Sequence, residues 1–208
     1  MEIDLTLLGM EKGRQYETII TTTDANNVQN AAPIGVICMG KDMIMNRIFK
    51  GSHTLDNILS QKEFIVNITH DAELFTLSTL GNLPEDYFDD DNSIKCVDTY
   101  FKCRAISFKE AVTQSDPIKK KSEAIVIKSE VCEMHIKHDV KALNRGFGYV
   151  IECLANLTRF DMVPEAQKEK YLERFREANR VVKKVGRVED IKAMSEIKKE
   201  LMKKGYEP

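Results

Sequence analysis

Residues Arg47–Asn57 read RIFKGSHTLDN. The first of them end a β-rich run, Met43–Phe49 (MIMNRIF). Gly51 then permits a tight turn and close approach of a ligand to the backbone. From about Thr54 onward, Leu55, Ile58 and Leu59 recur at helical spacing. The stretch is therefore a strand, a turn and the start of a helix. Arg47 and Lys50 leave the strand end as cations, Ser52 and Thr54 add hydroxyl donors, and the helix start presents unpaired N–H groups. Such a set suits a phosphate dianion. Asn57 can turn its amide toward the same point or toward the adjoining strand. The same residues suit a plainer arrangement, in which Ser52 or Thr54 caps the helix and the two cations stay in solvent.

Working back toward the N-terminus, Asn30–Met39 (NAAPIGVICM) is a strand carrying Pro33, and Gly40-Lys41-Asp42 turns it into the run that ends at Phe49. Tyr16–Thr23 (YETIITTT) precedes it, separated by the turn residues Asp24-Ala25-Asn26-Asn27. Connections this short predict antiparallel pairing. Pro33 cannot donate to a ladder, so its strand belongs at an edge or a bulge. The small residues around it, Ala31, Ala32 and Gly35, leave a shelf on which a flat ring could lie. A proline that merely protects an edge from aggregation accounts for them equally.

Working forward, Glu63–Thr69 (EFIVNIT) is a strand, Asp71–Leu80 a helical turn ended by Gly81, and Lys102–Thr113 and Glu123–His138 two further strands. The last of these is long enough to bend or bulge. Leu83–Asp98, with Asp86, Asp89, Asp90 and Asp91, is expected to be a solvated loop. It fails the calcium-loop template, lacking the Gly at the sharp turn and the closing Glu. Ser115-Asp116-Pro117 with Lys119, Lys120 and Lys121 reads as a basic surface turn. Beyond His138 the period becomes helical. Leu143, Phe147, Val150, Ile151, Leu154 and Leu157 form the first stripe; Leu172, Phe175, Ala178, Val182 and Val185 the second; Ile191, Met194, Ile197 and Leu201 the third. Gly146 and Gly148 fall inside the first stripe. Each would cost about 1 kcal/mol relative to Ala within a helix, which points to a late helix start or a close backbone contact.

The chain has 208 residues, 31% charged and 42% hydrophobic, with a formal net charge of −2. That balance is globular, and it provides no global basic field to draw the chain to nucleic acid or an anionic membrane. The opening MEIDLTLLGM lacks the basic region and longer apolar run of a signal peptide, and Ala31–Met39 is too short to span a bilayer. A cytoplasmic protein is expected. The five cysteines, Cys38, Cys96, Cys103, Cys132 and Cys153, are scattered and form no C-x-x-C pair, which argues against a disulfide framework or a zinc ribbon. His135 and His138 stand three apart in a strand, on opposite faces, so a shared metal is not expected. No catalytic residue is identified from the sequence.

The order of these elements carries a resemblance. A strand ending in Thr-Thr, a strand with Ala-Pro, a hairpin, an Arg, a Thr-x-x-Asn helix and a Phe-x-Val-Asn strand resemble the FMN-binding split-barrel superfamily, the flavin-reductase-like branch above all. The residues concerned are Asn30, Ala32, Pro33, Gly35, Arg47, Ser52, Thr54, Asn57, Phe64, Val66 and Asn67. With its helical tail, the whole chain looks like an uncharacterised, largely archaeal family of unknown function within that superfamily. The barrel resemblance spans Tyr16–His138; the tail is similar only to the narrower family. The resemblance implies an α+β fold, a mostly antiparallel split β-barrel with short helices over residues 1–138. A helical region over 139–208 would pack on the barrel or at a dimer interface. It further implies a homodimer with FMN near the interface. Arg47, Ser52, Thr54 and Lys50 would hold the phosphate, Asn57 would support that loop, and the backbone of Asn30–Gly35, with Ala32 and Pro33, would meet the isoalloxazine ring. The stretch Lys50-Gly51-Ser52-His53 departs from the shorter basic loop of flavin reductases, leaving open which of Lys50, Ser52 and His53 faces the ligand. A flavin-dependent oxidoreductase, a flavin carrier or sensor without turnover, and a barrel binding a deazaflavin are the readings this leaves.

Overall fold

The computed structural model describes residues 2–113, 122–138 and 140–208. They form two compact units, Met1–Leu143 and Asn144–Pro208. The first contains β1 (Gln15–Thr23), β2 (Gln29–Cys38), β3 (Met43–Phe49), α1 (His53–Gln61), β4 (Glu63–Asn67), α2 (Ala72–Leu80), β5 (Thr99–Thr113) and β6 (Ser122–Ile136). The strands close a barrel in the order β1-β2-β3-β6-β5-β4, and every pairing is antiparallel. The basic turn expected at Ser115–Lys121 lies outside the described residues.

Local chemistry sets the turns. Between β1 and β2, Asp24 Oδ1 accepts from the backbone N–H of Asn26 and Val28, both at 2.8 Å, while Asn27 takes φ +63°, an Asx turn in a residue that tolerates the left-handed region. Between β5 and β6 the register slips at Lys102/Cys103 and at Ala105/Ser107. The bulges this creates let two 15-residue strands bend round the barrel.

Strand alternation then separates two apolar faces. Tyr16, Ile20, Val36, Cys38, Ile44, Ile48, Val66, Phe101 and Ile127 point inward and are buried, with Leu55 and Ile58 of α1. Burying each of the large aliphatic and aromatic side chains contributes about 1.5–3 kcal/mol. Ile19 and Ala31 belong to the outer face and pack with Leu74, Leu83, Phe88, Ile94 and Val97. The segment after α2 is thus a packed cover and not the solvated loop its carboxylates suggest. Its apolar residues follow no period, but they bury while Asp86, Asp89 and Asp90 stay exposed. Asn67, fully buried, anchors this cover. Its Nδ2 donates to Ile19 O at 3.0 Å and Thr21 Oγ1 at 3.2 Å, and its Oδ1 accepts from Ile94 N at 3.1 Å.

The second unit is α3 (Gly146–Arg159), α4 (Glu165–Val185) and α5 (Val188–Lys203). Its core joins Val150, Cys153, Phe160, Leu172, Phe175, Val182, Met194, Ile197 and Leu201. The first stripe read from the sequence divides here: Val150 is buried, whereas Phe147, Ile151 and Leu154 are 64%, 44% and 40% exposed. Gly146 marks both the helix start and a close contact, since a Cβ there would stand 2.7 Å from Gly186 Cα. Asn144 binds the same junction, its Nδ2 donating to Val185 O at 2.7 Å and its Oδ1 accepting from Gly146 N at 2.8 Å. Among the described residues, no helix is long and apolar enough to cross a membrane.

Two outcomes follow. Gly146→Ala should destabilise the helical unit by about 1–3 kcal/mol through overpacking. Gly148→Ala meets nothing within 4 Å and should stabilise it by up to ~1 kcal/mol; chemical denaturation of both variants checks the contrast. The second outcome concerns Asp91. Burial works to raise its pKa, yet hydrogen bonds from Ser93, Tyr100 and Lys102 hold it well below the ordinary 3.8. Its stabilising contribution is therefore fully present above 3.8 and lost as the pH falls from there through the lowered value. The melting temperature of Asp91→Asn should lie below that of the parent at neutral pH, and the gap should close in acid. A gap independent of pH would contradict this assignment.

Candidate functional site

β2 pairs with β1 along its whole length but with β3 only across Val36–Cys38. Over Gln29–Gly35, the edge away from β1 meets no other strand among the described residues. Alternate residues of an antiparallel strand turn their backbone groups to opposite edges. Ala31 N turns to the open one, where it donates to Asn82 Oδ1 at 3.0 Å, while Asn82 Nδ2 donates to Gln29 O at 2.7 Å. Pro33 shares the parity of Ala31, so its missing N–H falls on the open edge and costs no ladder bond. Ala32 and Pro33 are half-buried there. Gly35 has a more local reason: a Cβ would stand 2.5 Å from Gln15 Nε2, so glycine makes room for that side chain to cross the strand.

α1 starts beside the split. Gly51 holds φ +82°, which only glycine adopts without strain. Ser52 caps the helix, its Oγ accepting from Leu55 N at 3.3 Å and donating to Phe49 O at 3.0 Å. Thr54 and Asn57 sit on the buried side of the first turns, 2% and 8% exposed. Asn30 Nδ2 donates to Thr54 Oγ1 at 3.0 Å and lies 3.4 Å from Thr22 Oγ1. Asn57 Nδ2 donates to the same Thr22 oxygen at 3.0 Å. The structure thus gathers Asn30, Thr54 and Asn57 into one polar cluster around Thr22.

The other residues singled out from the sequence are placed differently. Arg47 is half-buried on the outer face of β3, opposite in direction to the inward Asn46, and its guanidinium carbon stands 5.5 Å from the centre of the Phe49 ring. The Lys50 ammonium pairs with Glu110 at 2.9 Å and Glu123 at 3.2 Å. Those contacts, the Glu110 bond first, raise its pKa and direct it toward β5 and β6. His53 opens α1 and is exposed. His135 stacks on Tyr100, with ring centres 4.5 Å apart, and bonds Glu133 at 2.6 Å, while His138 lies near Asp98 at 3.5 Å.

Thr22 was not singled out in the sequence, although it lies in the threonine run of β1. A signal for it existed. A turn of this length between β1 and β2 sets Thr22 opposite Asn30, on the face that α1 covers. Two surface cavities of about 400 and 450 Å³ lie elsewhere on this unit, one beside Asp71, Leu77 and Cys96 and the other beside Lys102, Arg104 and Cys132. In the second, the lysine and the arginine are matched by Asp91, Glu133, Glu63 and Glu130.

Similarity to known proteins extends over most of the chain. An uncharacterized protein of Methanocaldococcus jannaschii, MJ1453, is 28% identical over 176 residues, covering 81% of this chain and 88% of its own. The crystal structure of the FMN-bound protein MM1853 from Methanosarcina mazei, assigned to DUF447, is 29% identical, covers 95% of this chain and 100% of that one, and superposes with a TM-score of 0.51. Flavoredoxin from Methanosarcina acetivorans is 13% identical, covers 65% of this chain and 78% of its own, and has a TM-score of 0.44. The model described as the N-terminal domain of Protein of unknown function (DUF447) matches residues 16–138, and a second, described as Protein of unknown function (DUF447), matches residues 144–199. With both its barrel and its helical unit matched in order, the chain belongs to the DUF447 family.

Proposed function

We propose that this protein binds FMN at the split between β2 and β3, with the phosphate at the start of α1. The observation that carries the reading is the FMN-bound relative of the same family, 29% identical across the whole of its own chain. The residues present suit such a ligand. Thr54 has its hydroxyl oxygen engaged as an acceptor, which leaves its O–H to donate. The first turn of α1 supplies N–H groups and the positive end of the helix dipole, and Arg47 supplies a guanidinium for charge-assisted bonding to a dianion. The Pro33–Gly35 edge gives backbone groups for the polar rim of the ring. Ser52 contributes mainly as the cap that holds this geometry. Lys50, already bonded to two carboxylates, is not needed in the set.

Bound FMN would supply electron transfer, and the chain's own residues would bind and orient it. The half-buried Ala32–Pro33 shelf is open-edged, so a ring lying on it needs a cover from elsewhere. A second copy of the chain supplies that cover in our reading, which makes the protein a homodimer. Turnover as a flavin-reductase-like oxidoreductase is the finer proposal. It requires a second substrate to reach the exposed face of the ring.

The protein as purified should carry flavin absorbance bands or acquire them on addition of FMN. Arg47→Ala should weaken FMN binding by about 1.5–3 kcal/mol, the scale of a hydrogen bond to a charged group; unchanged affinity in a fluorescence titration would remove Arg47 from the site. Bleaching of the bound flavin by a nicotinamide donor, absent in a carrier, separates the enzyme from the binding protein. Sedimentation as a monomer with flavin bound would overturn the dimer.

A further inference from the structure

We infer that Thr22 is the positioning residue of the phosphate end, acting through Asn30 on Thr54; the inference rests on the FMN reading and sharpens it. Thr22 is 1% exposed, and its hydroxyl oxygen takes amide hydrogens from two asparagines, one on β2 and one on α1. A hydroxyl oxygen has two acceptor lone pairs, so both are used. Asn30 in turn has two amide hydrogens. One is directed at Thr22 and the other at Thr54 Oγ1, 3.0 Å away. Its rotation is fixed by the two threonines together.

The consequence falls on Thr54. Thr54 is the second residue of α1, so no preceding helical turn offers its hydroxyl a carbonyl to bond back to. Here the Asn30 amide occupies the Thr54 oxygen from the β2 side, and Thr54 makes no other side-chain hydrogen bond among the described residues. The hydroxyl hydrogen is left for an acceptor at the start of α1. That is the donor a phosphate requires. Without Thr22, Asn30 could turn its carbonyl oxygen toward Thr54, which would draw the hydroxyl hydrogen to itself and face the phosphate with an acceptor. Thr22 thus sets the polarity of the whole chain of bonds from behind Asn30.

The inference is tested by comparing FMN with riboflavin, which is the same flavin without the phosphate, in fluorescence titrations. Thr22→Val keeps the shape and removes the acceptor. It should weaken FMN about tenfold, the scale of a disrupted buried hydrogen bond, and leave riboflavin unchanged. Thr22→Ser should restore FMN affinity, and Asn30→Ala, at a half-buried position that tolerates truncation, should reproduce the FMN-selective loss. Equal weakening of both flavins, or of neither, would overturn the positioning role while leaving the FMN reading intact. A parent protein that binds neither flavin would overturn both.

Discussion

The structure depends on one backbone constraint. Pro33 has no N–H to offer, and over Gln29–Gly35 β2 is bonded to a single neighbouring strand. β3 joins it only from Val36 onward. A barrel that closed fully at this point would bring β3 against a residue unable to complete the ladder. The two strands part instead, and the start of α1 lies beside the gap with its buried side toward β1 and β2. The side chain of Asn82 satisfies two of the backbone groups on this edge, Ala31 N and Gln29 O. A site made this way consists of strand edge and helix terminus, both rich in backbone donors.

The polar residues beside the split are tied to the apolar ones by strand alternation. Thr22 and Asn30 share the inward parity of Ile20 and Val36, but they lie at the end of the barrel where α1 replaces further strand. There the same face that buries isoleucine and valine lower down carries hydroxyl and amide groups, each held by the next. A buried polar group left without such a partner is costly. The outer face shows the same economy. Asn67, at the end of β4, satisfies two partners on β1 and one in the segment after α2, which fixes that cover over Ile19 and Ala31.

Much of this was legible in the sequence. The six strands and α1 lie where the turn residues and period changes put them, β3 with the same ends, and Pro33 does sit on an edge. The resemblance to flavin-binding split barrels rested on motif order, and family membership agrees with it. What escaped reading has physical causes. Leu83, Phe88, Ile94 and Val97 pack without any period, so the aspartates between them dominated the pattern. Phe147, Ile151 and Leu154 follow a helical period as well as Val150 does, yet periodicity cannot tell a narrow buried stripe from a wider one that is partly exposed. The ion pairs of Lys50 are not legible either, because the carboxylates that hold it, Glu110 and Glu123, are some sixty and seventy residues away in sequence. Thr22 was hidden because a threonine in a β-rich run is ordinary. Its place opposite Asn30 comes from register, two residues before the turn that joins β1 to β2.

The central claim, a flavin phosphate held at the start of α1, is tested most directly by the ³¹P NMR spectrum of FMN in the presence of the protein. The account predicts that the phosphate resonance moves on binding and that Thr54→Val, which removes the donor beside it, shifts the bound resonance again. A protein that binds FMN while its phosphate resonance stays at the free position, unaffected by Thr54→Val, would contradict it.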